Sequence, residues 1–400
     1  MAVQRSATRI SRFSCGLLAL LTLASGNKTA AAAPPVLKAD LRAWGATGLQ
    51  VPRDQAPKPS PNQCLTFLDN STLAVSFPVF NPEAKLGTRD QPGGGSIVFH
   101  TALVDVHTGQ LGAEKNWGSV FLPHAMEAIG GERLLVRVDD DLGIYSRDWK
   151  PERHYRLKRT EAQKPAADVA VSPSGKTVFV ITQQARGREH VDVLADSTSG
   201  EWFGFTVSSV GRDAVSDSNF AFAMPRNKKA AFFVLPLKTI NGQARQPVEP
   251  TKYRTEPGCA EPAFVTDDRM VLGGLCDSIS VLGVDGSLKG QKRLEARFLL
   301  QDVRASRDQR RFAVVISRPW LTAIPGEEGA VAVHGGEVHV YNTHPLAKVF
   351  EREINVERGE IRRVDIALSP DGSLLALLNG WTLTIYQLAA PDAVTTPSKP

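Results

Sequence analysis

The stretch "VDIALSPDGSLLALLNGWTLTIYQL" at residues 364–388 has a near copy, "ADVAVSPSGKTVFVIT", at residues 167–182. In register, Asp168 matches Asp365, Ser172-Pro173 matches Ser369-Pro370, and Gly175 matches Gly372. A third copy, "QDVRASRDQRRFAVVIS" (301–317), puts Asp302, Ser306 and Asp308 at the corresponding places. Each copy reads as a short alternating strand, a polar turn and a more continuously apolar strand. Proline fixes φ in such a turn and glycine permits a φ that other residues resist. The apolar run predicts a second strand buried on both faces; the alternating first strand is less covered.

Weaker copies follow the same plan. "CLTFLDNSTLAVSF" (64–77) and "MEAIGGERLLVRV" (126–138) are hairpins with turns at Asp69-Asn70 and Gly130-Gly131. "PAFVTDDRMVLGG" (262–274) is another, and "NFAFAMPRNKKAAFFVL" (219–235) carries Pro225 in its turn. A third strand follows most hairpins, as in "ALVDVHTGQ" (102–110), "VDVLADSTSG" (191–200) and "VHVYNTHPLA" (338–347), then an outer fourth such as "EWFGFTV" (201–207). Long helical patterns are missing, and the 33 Gly and 26 Pro suit many short strands joined by tight turns.

Four strands per unit, repeated irregularly, predict an all-β fold: a single β-propeller of seven four-stranded blades. The blades begin near residues 64, 124, 167, 217, 259, 301 and 363. The fourth has no legible third strand in "KTINGQARQPVEPTKYR" (238–254), and the seventh ends after three strands. The segment "PVLKADLRAW" (35–44) is therefore expected to supply the missing outer strand and close the ring, which removes exposed sheet edges. This divides the chain into a signal peptide (1–32), a closing strand and linker (33–63), the propeller (64–390) and a flexible tail (391–400).

The "SPDG" turns and "VDVHTGQ"-like third strands resemble those of WD-repeat and YVTN-type β-propellers, over roughly residues 64–390. The chain lacks the recurring Gly-His and terminal Trp-Asp of true WD repeats, so the resemblance implies the propeller but not their hydrogen-bonded tetrad. It implies no reaction either, because one fold hosts many functions.

The N-terminus reads as an export signal. Arg5, Arg9 and Arg12 precede the apolar "CGLLALLTLA" (15–24), which is too short to span a bilayer, and small residues follow. Cleavage after Gly26 or within Ala30–Ala33 would leave a secreted or periplasmic protein with no membrane span. Residues 1–32 hold four of the 47 basic residues and no acid, which leaves 43 basic against 42 acidic. That balance removes the main support for a nucleic-acid partner. Cys259 and Cys276 lie symmetrically about Asp267-Asp268, the expected turn of one hairpin. Residues opposed in antiparallel strands stand within disulfide range, and an exported protein keeps such a bond, so geometry and compartment favour a disulfide over two buried thiols. Cys64 is then left over.

Catalytic motifs are missing. "SGKT" (174–177) lacks the glycine a phosphate loop needs at position 170, which is Ala. There is no G-x-S-x-G, C-x-x-C or H-E-x-x-H. His334, His339 and His344 are spaced by five, which alternates faces in a strand, so they read as scattered surface histidines and no metal site is expected. Asp139, Asp140 and Asp141 read as solvated turn carboxylates. Asp168, Asp302 and Asp365 recur at one blade position and so read as serving the blade.

These readings point to an exported, non-catalytic binding or scaffold module for a protein or glycan partner, with no catalytic residue and no cofactor. The alternative is a propeller-based enzyme, of hydrolase, lactonase or oxidoreductase type, with a site in the central channel. Three or more acids, histidines or arginines converging on one pocket would favour it. For the binding module, two long insertions between second and third strands stand out: "PVFNPEAKLGTRDQPGGGS" (78–96) and "RPWLTAIPGEEGAVAVHGG" (318–336). Blades one and six flank blade seven, so both insertions should form one wall of the channel mouth. There Phe80 and Trp320 offer apolar contact, and Arg89, Asp90, Glu327 and Glu328 offer polar specificity.

Overall fold

In the computed structural model the described residues are 34–46, 65–79, 97–119, 124–138, 140–157, 168–184, 188–194, 202–207, 213–223, 231–239, 245–247, 250–255, 258–320, 332–354 and 364–390. All of them belong to one compact unit, Ala32–Pro400.

The chain enters through β1 (Leu37–Asp40) and a 3₁₀ turn, Leu41–Trp44, capped by the Asp40 carboxylate, which accepts from the Arg42 amide at 2.9 Å. Blade one is β2 (Leu65–Phe67), β3 (Thr72–Val79), β4 (Ile97–Asp105) and β5 (Leu111–Ser119). Blade two is β6 (His124–Ile129), β7 (Arg133–Val138), β8 (Asp141–Tyr145) and β9 (Pro151–Arg156). Blade three is β10 (Asp168–Val171), β11 (Val178–Gln184), β12 (Arg188–Leu194) and β13 (Trp202–Val207). In each, consecutive strands pair antiparallel.

Blade four corrects the sequence reading by one strand. Its first strand is only three residues long, β14 (Asp213–Val215), followed by β15 (Asn219–Ala223) and β16 (Ala231–Thr239). "NFAFAMPRNKKAAFFVL" therefore holds the second and third strands, and the third strand that could not be read downstream is "AFFVLPLKT". Two short segments, β17 (Arg245–Pro247) and β18 (Thr251–Arg254), share the outer edge of β16. So short a first strand carries no alternation to detect. Pro225 lies outside the described residues.

Blades five and six share one six-stranded sheet: β19 (Glu261–Phe264), β20 (Arg269–Gly283), β21 (Leu288–Ala305), β22 (Arg311–Trp320), β23 (Ala332–Thr343) and β24 (Leu346–Ile354). β20 has 15 residues, roughly 50 Å if extended. Yet the Val284 amide donates to the Asp268 carbonyl at 2.9 Å, so the two ends meet and β20 is itself a hairpin. β21 is the outer strand of blade five over its first half and the inner strand of blade six over its second, paired with β22 from Leu299. Blade seven is β25 (Val364–Leu368), β26 (Leu374–Asn379) and β27 (Thr382–Gln387). Its fourth strand is β1, paired with β27 from Leu37↔Ile385 to Asp40↔Thr382, as the closure expectation required.

The second strands are covered on both faces. Along β26, Leu374, Ala376 and Leu378 pack toward blade one, and Leu375 and Leu377 toward blade six. Along β11, Phe179 and Ile181 face blade four, and Val178 and Val180 face blade two. Leu41 is 1% exposed and wedges between blades seven and one.

The turns after the first strands join neighbouring blades. Their serines cap them: Ser172 Oγ accepts from the Thr177 amide, Ser306 Oγ from Arg311 and Ser369 Oγ from Leu374. Gly175 and Gly372 sit at φ 76° and 68°, and Gln309, in the same place in the third copy, at 62°. Around the ring, Gly130 N donates to Gly175 O, Ser174 Oγ to Asp217, and Ser218 N to Asp267 Oδ1. Asp267 N then donates to Gln309 Oε1, Asp308 N to Pro370 O, and Asp371 N to Asn70 Oδ1. The Ala128 amide of β6 donates to Thr66 Oγ1 of β2 at 3.0 Å and joins blades one and two. Every junction is thus bonded.

A disulfide links Cys259 and Cys276, with Cα atoms 4.9 Å apart. The expected bond forms, but not between opposed ladder residues. The β19–β20 register, Glu261↔Gly273, would place Leu275 opposite Cys259. Gly274, at φ 96°, takes up the one-residue slip; a Cβ there would lie 2.2 Å from Gly258 O. Cys64 lies outside the described residues.

Leu41→Ala should cost about 3 kcal/mol, because it opens a cavity at the seam that closes the ring. Urea denaturation of the two proteins measures the difference.

Candidate functional site

The seven first strands enclose a cavity of ≈ 240 Å³. It is lined by β2, β6, β10, β14, β19, the end of β21 and β25, and by turn residues Ser172, Gly175, Arg307 and Pro370. Lining by all seven first strands identifies it as the central channel of the propeller.

Blade six fills this channel with charge. At one position the other two strong copies carry Ala170 and Ala367, and this one carries Arg304; where they carry Pro173 and Pro370, it carries Arg307. Asp302 is the extra residue of a bulge, since Gln301 pairs Val315 while Val303 pairs Val314, and its φ is 23°. A bulge re-aims side chains. Here it sets Asp302 Oδ1 3.2 Å from Arg304 Nε. Arg304 Nη1 donates to Glu127 Oε1 at 3.0 Å. Glu127 belongs to blade two, three places around the ring, so the arginine spans the channel. Arg307 donates to the carbonyls of Phe67, at 2.8 Å, and Leu68, at 3.3 Å, on blade one.

Burial pushes the Glu127 carboxyl above its ordinary value, and Arg304 pulls it the other way. Burial also works against the charge of Arg304, but Asp302, Glu127 and Asp365 outweigh it and hold the guanidinium charged. Arg307, which donates to two backbone carbonyls, is shifted down by burial against the pull of Glu127, Asp69 and Glu132.

Four convergent groups satisfy the count that favours a channel enzyme. Each of the four is engaged by a neighbour in the structure. Arg304 is engaged by two carboxylates and Arg307 by two carbonyls, and the cavity is smaller than the roughly 300–1,000 Å³ of ordinary ligand pockets. The bonds tie blade six to blades two and one across the channel. The sequence carried a signal for them, an arginine breaking a small-residue position of the repeat, which reading each copy for its similarity passes over. The recurrent aspartates do not share one environment: Asp302 and Asp365 lie beside Arg304, and Asp168 is exposed.

The six residues of the expected partner site are placed only in part. Phe80, Arg89, Asp90, Glu327 and Glu328 lie outside the described residues. Trp320 ends β22, its backbone paired with Ala332. The insertions join β3 to β4 and β22 to β23, and the first strands β2 and β21 each touch β25 of blade seven. His339 corrects the reading of the histidines as surface residues: it is 5% exposed. Among the described residues, no helix is long and apolar enough to cross a membrane.

No family model matches the chain, and neither does any curated protein. Among solved structures the chain is similar to the C-terminal WD40 domain of Sif2, at 12% identity and a TM-score of 0.48, over 89% of this chain and 98% of that domain. The propeller assignment rests on the blades themselves.

Glu127→Ala leaves Arg304 with one carboxylate fewer and should lower stability by about 1–3 kcal/mol. The pH dependence has a definite sign. Because the folded carboxyl binds its proton more tightly than the unfolded one, this group's contribution falls as pH rises from the ordinary 4.5 through the raised folded value. Urea midpoints across that range should show this decline in the wild type and lose it in Glu127→Gln.

Proposed function

We propose that the protein is an exported, non-catalytic β-propeller that holds a protein or glycan partner on the face bearing the two insertions. The observation that carries this reading is the contrast between the two ends of the blades. One end is knit by turn-to-turn hydrogen bonds at six of the seven junctions and by a strand-to-strand bond between blades one and two, with Arg307 reaching from blade six to blade one. The other end receives segments 80–96 and 321–331, which are long for strand connections. Both belong to blades beside blade seven, so Phe80, Arg89, Asp90, Trp320, Glu327 and Glu328 would share one wall. No cofactor is involved. Residues 1–32, with their basic start and short apolar run, act as the export signal, and the disulfide suits that destination.

The second reading, an enzyme at the channel, is favoured by the convergence of Glu127, Asp302, Arg304 and Arg307. It requires a substrate that displaces the arginines.

One experiment separates the two readings. The mature protein is used to capture partners from its native envelope or medium, in parallel with a variant whose segments 80–96 and 321–331 are replaced by short Gly-Ser linkers. The variant should keep the wild-type melting temperature within about 2 °C, since surface loops add little stability, and lose the captured partner. Capture that survives the loop replacement but fails in Arg304→Met would favour the channel.

A further inference from the structure

Between blades five and six, on the outer half of blade six, lies a cluster that the channel chemistry does not involve. Glu337, His339 and Tyr341 alternate along β23 and so share one face. Glu351 of β24 is the ladder partner of His339. His339 Nε2 is 2.8 Å from Glu337 Oε2 and 3.4 Å from Glu351 Oε1. Its Nδ1 is 3.0 Å from the Tyr341 hydroxyl, and Lys348 Nζ bonds the other oxygen of Glu351. Tyr341 is 1% exposed and stacks on Phe312, so the residue behind the imidazole is fixed.

Two carboxylates converge on one imidazole nitrogen. A neutral imidazole places at most one proton there, and that proton serves one carboxylate. Protonating the ring does not add a second donor at Nε2. A divalent cation fits the same geometry. It takes the Nε2 lone pair and both carboxylates at once, while the ring proton moves to Nδ1 and the Tyr341 hydroxyl turns from donor to acceptor. A hydrogen bond to the far ring nitrogen is the usual support of a metal-bound histidine. One ligand atom from each of Glu337, His339 and Glu351 lies within 4.8 Å of the others. Small side-chain rotations bring three such atoms to the roughly 2.0–2.2 Å bond lengths of zinc with nitrogen and carboxylate oxygen.

We propose that Glu337, His339 and Glu351 form a divalent transition-metal site of the zinc class, with one nitrogen ligand, two carboxylate ligands and a position left for water, and with Tyr341 orienting the imidazole. One nitrogen among oxygen donors favours an ion of intermediate hardness over calcium. The ion displaces Lys348 from Glu351. The site lies outside the channel and does not depend on the partner-binding reading.

The test uses the untagged full chain, stripped with a chelator and dialysed against Zn²⁺. One zinc per chain should remain, the melting temperature should rise with Zn²⁺ concentration, and Co²⁺ should give visible absorption at one equivalent. Glu337→Gln and Glu351→Gln, close in shape to the parent residues, should each weaken Zn²⁺ binding about 100-fold, and Tyr341→Phe about 10-fold. If a substituted protein fails to fold, Tyr341→Phe and the wild-type Co²⁺ spectrum still decide the matter. Wild-type protein that retains no zinc, or glutamine variants that bind it as the wild type does, would overturn the proposal.

Discussion

Everything in this molecule hangs on how one blade is fastened to the next. A blade cannot bury both faces of its second strand alone, so each lies between two apolar clusters that it shares with its neighbours. Apolar packing is non-directional and would tolerate sliding. The turns after the first strands remove that freedom. At Gly130–Gly175, Ser218–Asp267, Asp267–Gln309, Asp308–Pro370 and Asp371–Asn70, a backbone amide of one blade is committed to the next. Arg311, fully buried, adds to the same belt by donating to the Gly372 carbonyl at 2.8 Å and to the carbonyl of Ala389.

The belt explains why the repeat is written as it is. The serine closes its own turn, glycine supplies the positive φ, and the aspartate or serine between them is placed for its neighbour: Ser174 reaches Asp217, and the Asp308 amide reaches Pro370. The motif is therefore constrained at the ring level as well as within the hairpin. Ring closure follows the same logic. β1 completes blade seven, and Leu41 fills the seam with blade one, so residues 37–41 are held by the ladder and the core together.

Much of this was legible in the sequence. Hairpins with strong alternation and a marked turn, such as 168–182 and 365–378, announce themselves because period and turn chemistry agree. Blade four was misread by one strand because "DAV" is too short to show a period. The disulfide was legible, although the one-residue slip at Gly274 was not, since it depends on a backbone angle. The charged channel is the feature least legible in the sequence. Arg304 and Glu127 are 177 residues apart, and nothing local says that they meet; only the departure of Arg304 and Arg307 from the repeat marks them. The spacing of His339 from His334 and His344 hides its surroundings, because its neighbours are Glu337, two residues away on the same face, and Glu351, across the ladder.

The central claim is that the turn belt makes the blades one cooperative body. Native-state hydrogen exchange at Gly130, Ser218, Asp267, Asp308 and Asp371 tests it most directly. The account predicts that these amides, though they lie in turns, exchange as slowly as ladder amides of β11 and β26 and share one opening free energy. Fast exchange at these positions, each with its own rate while the strand amides stay protected, would contradict it.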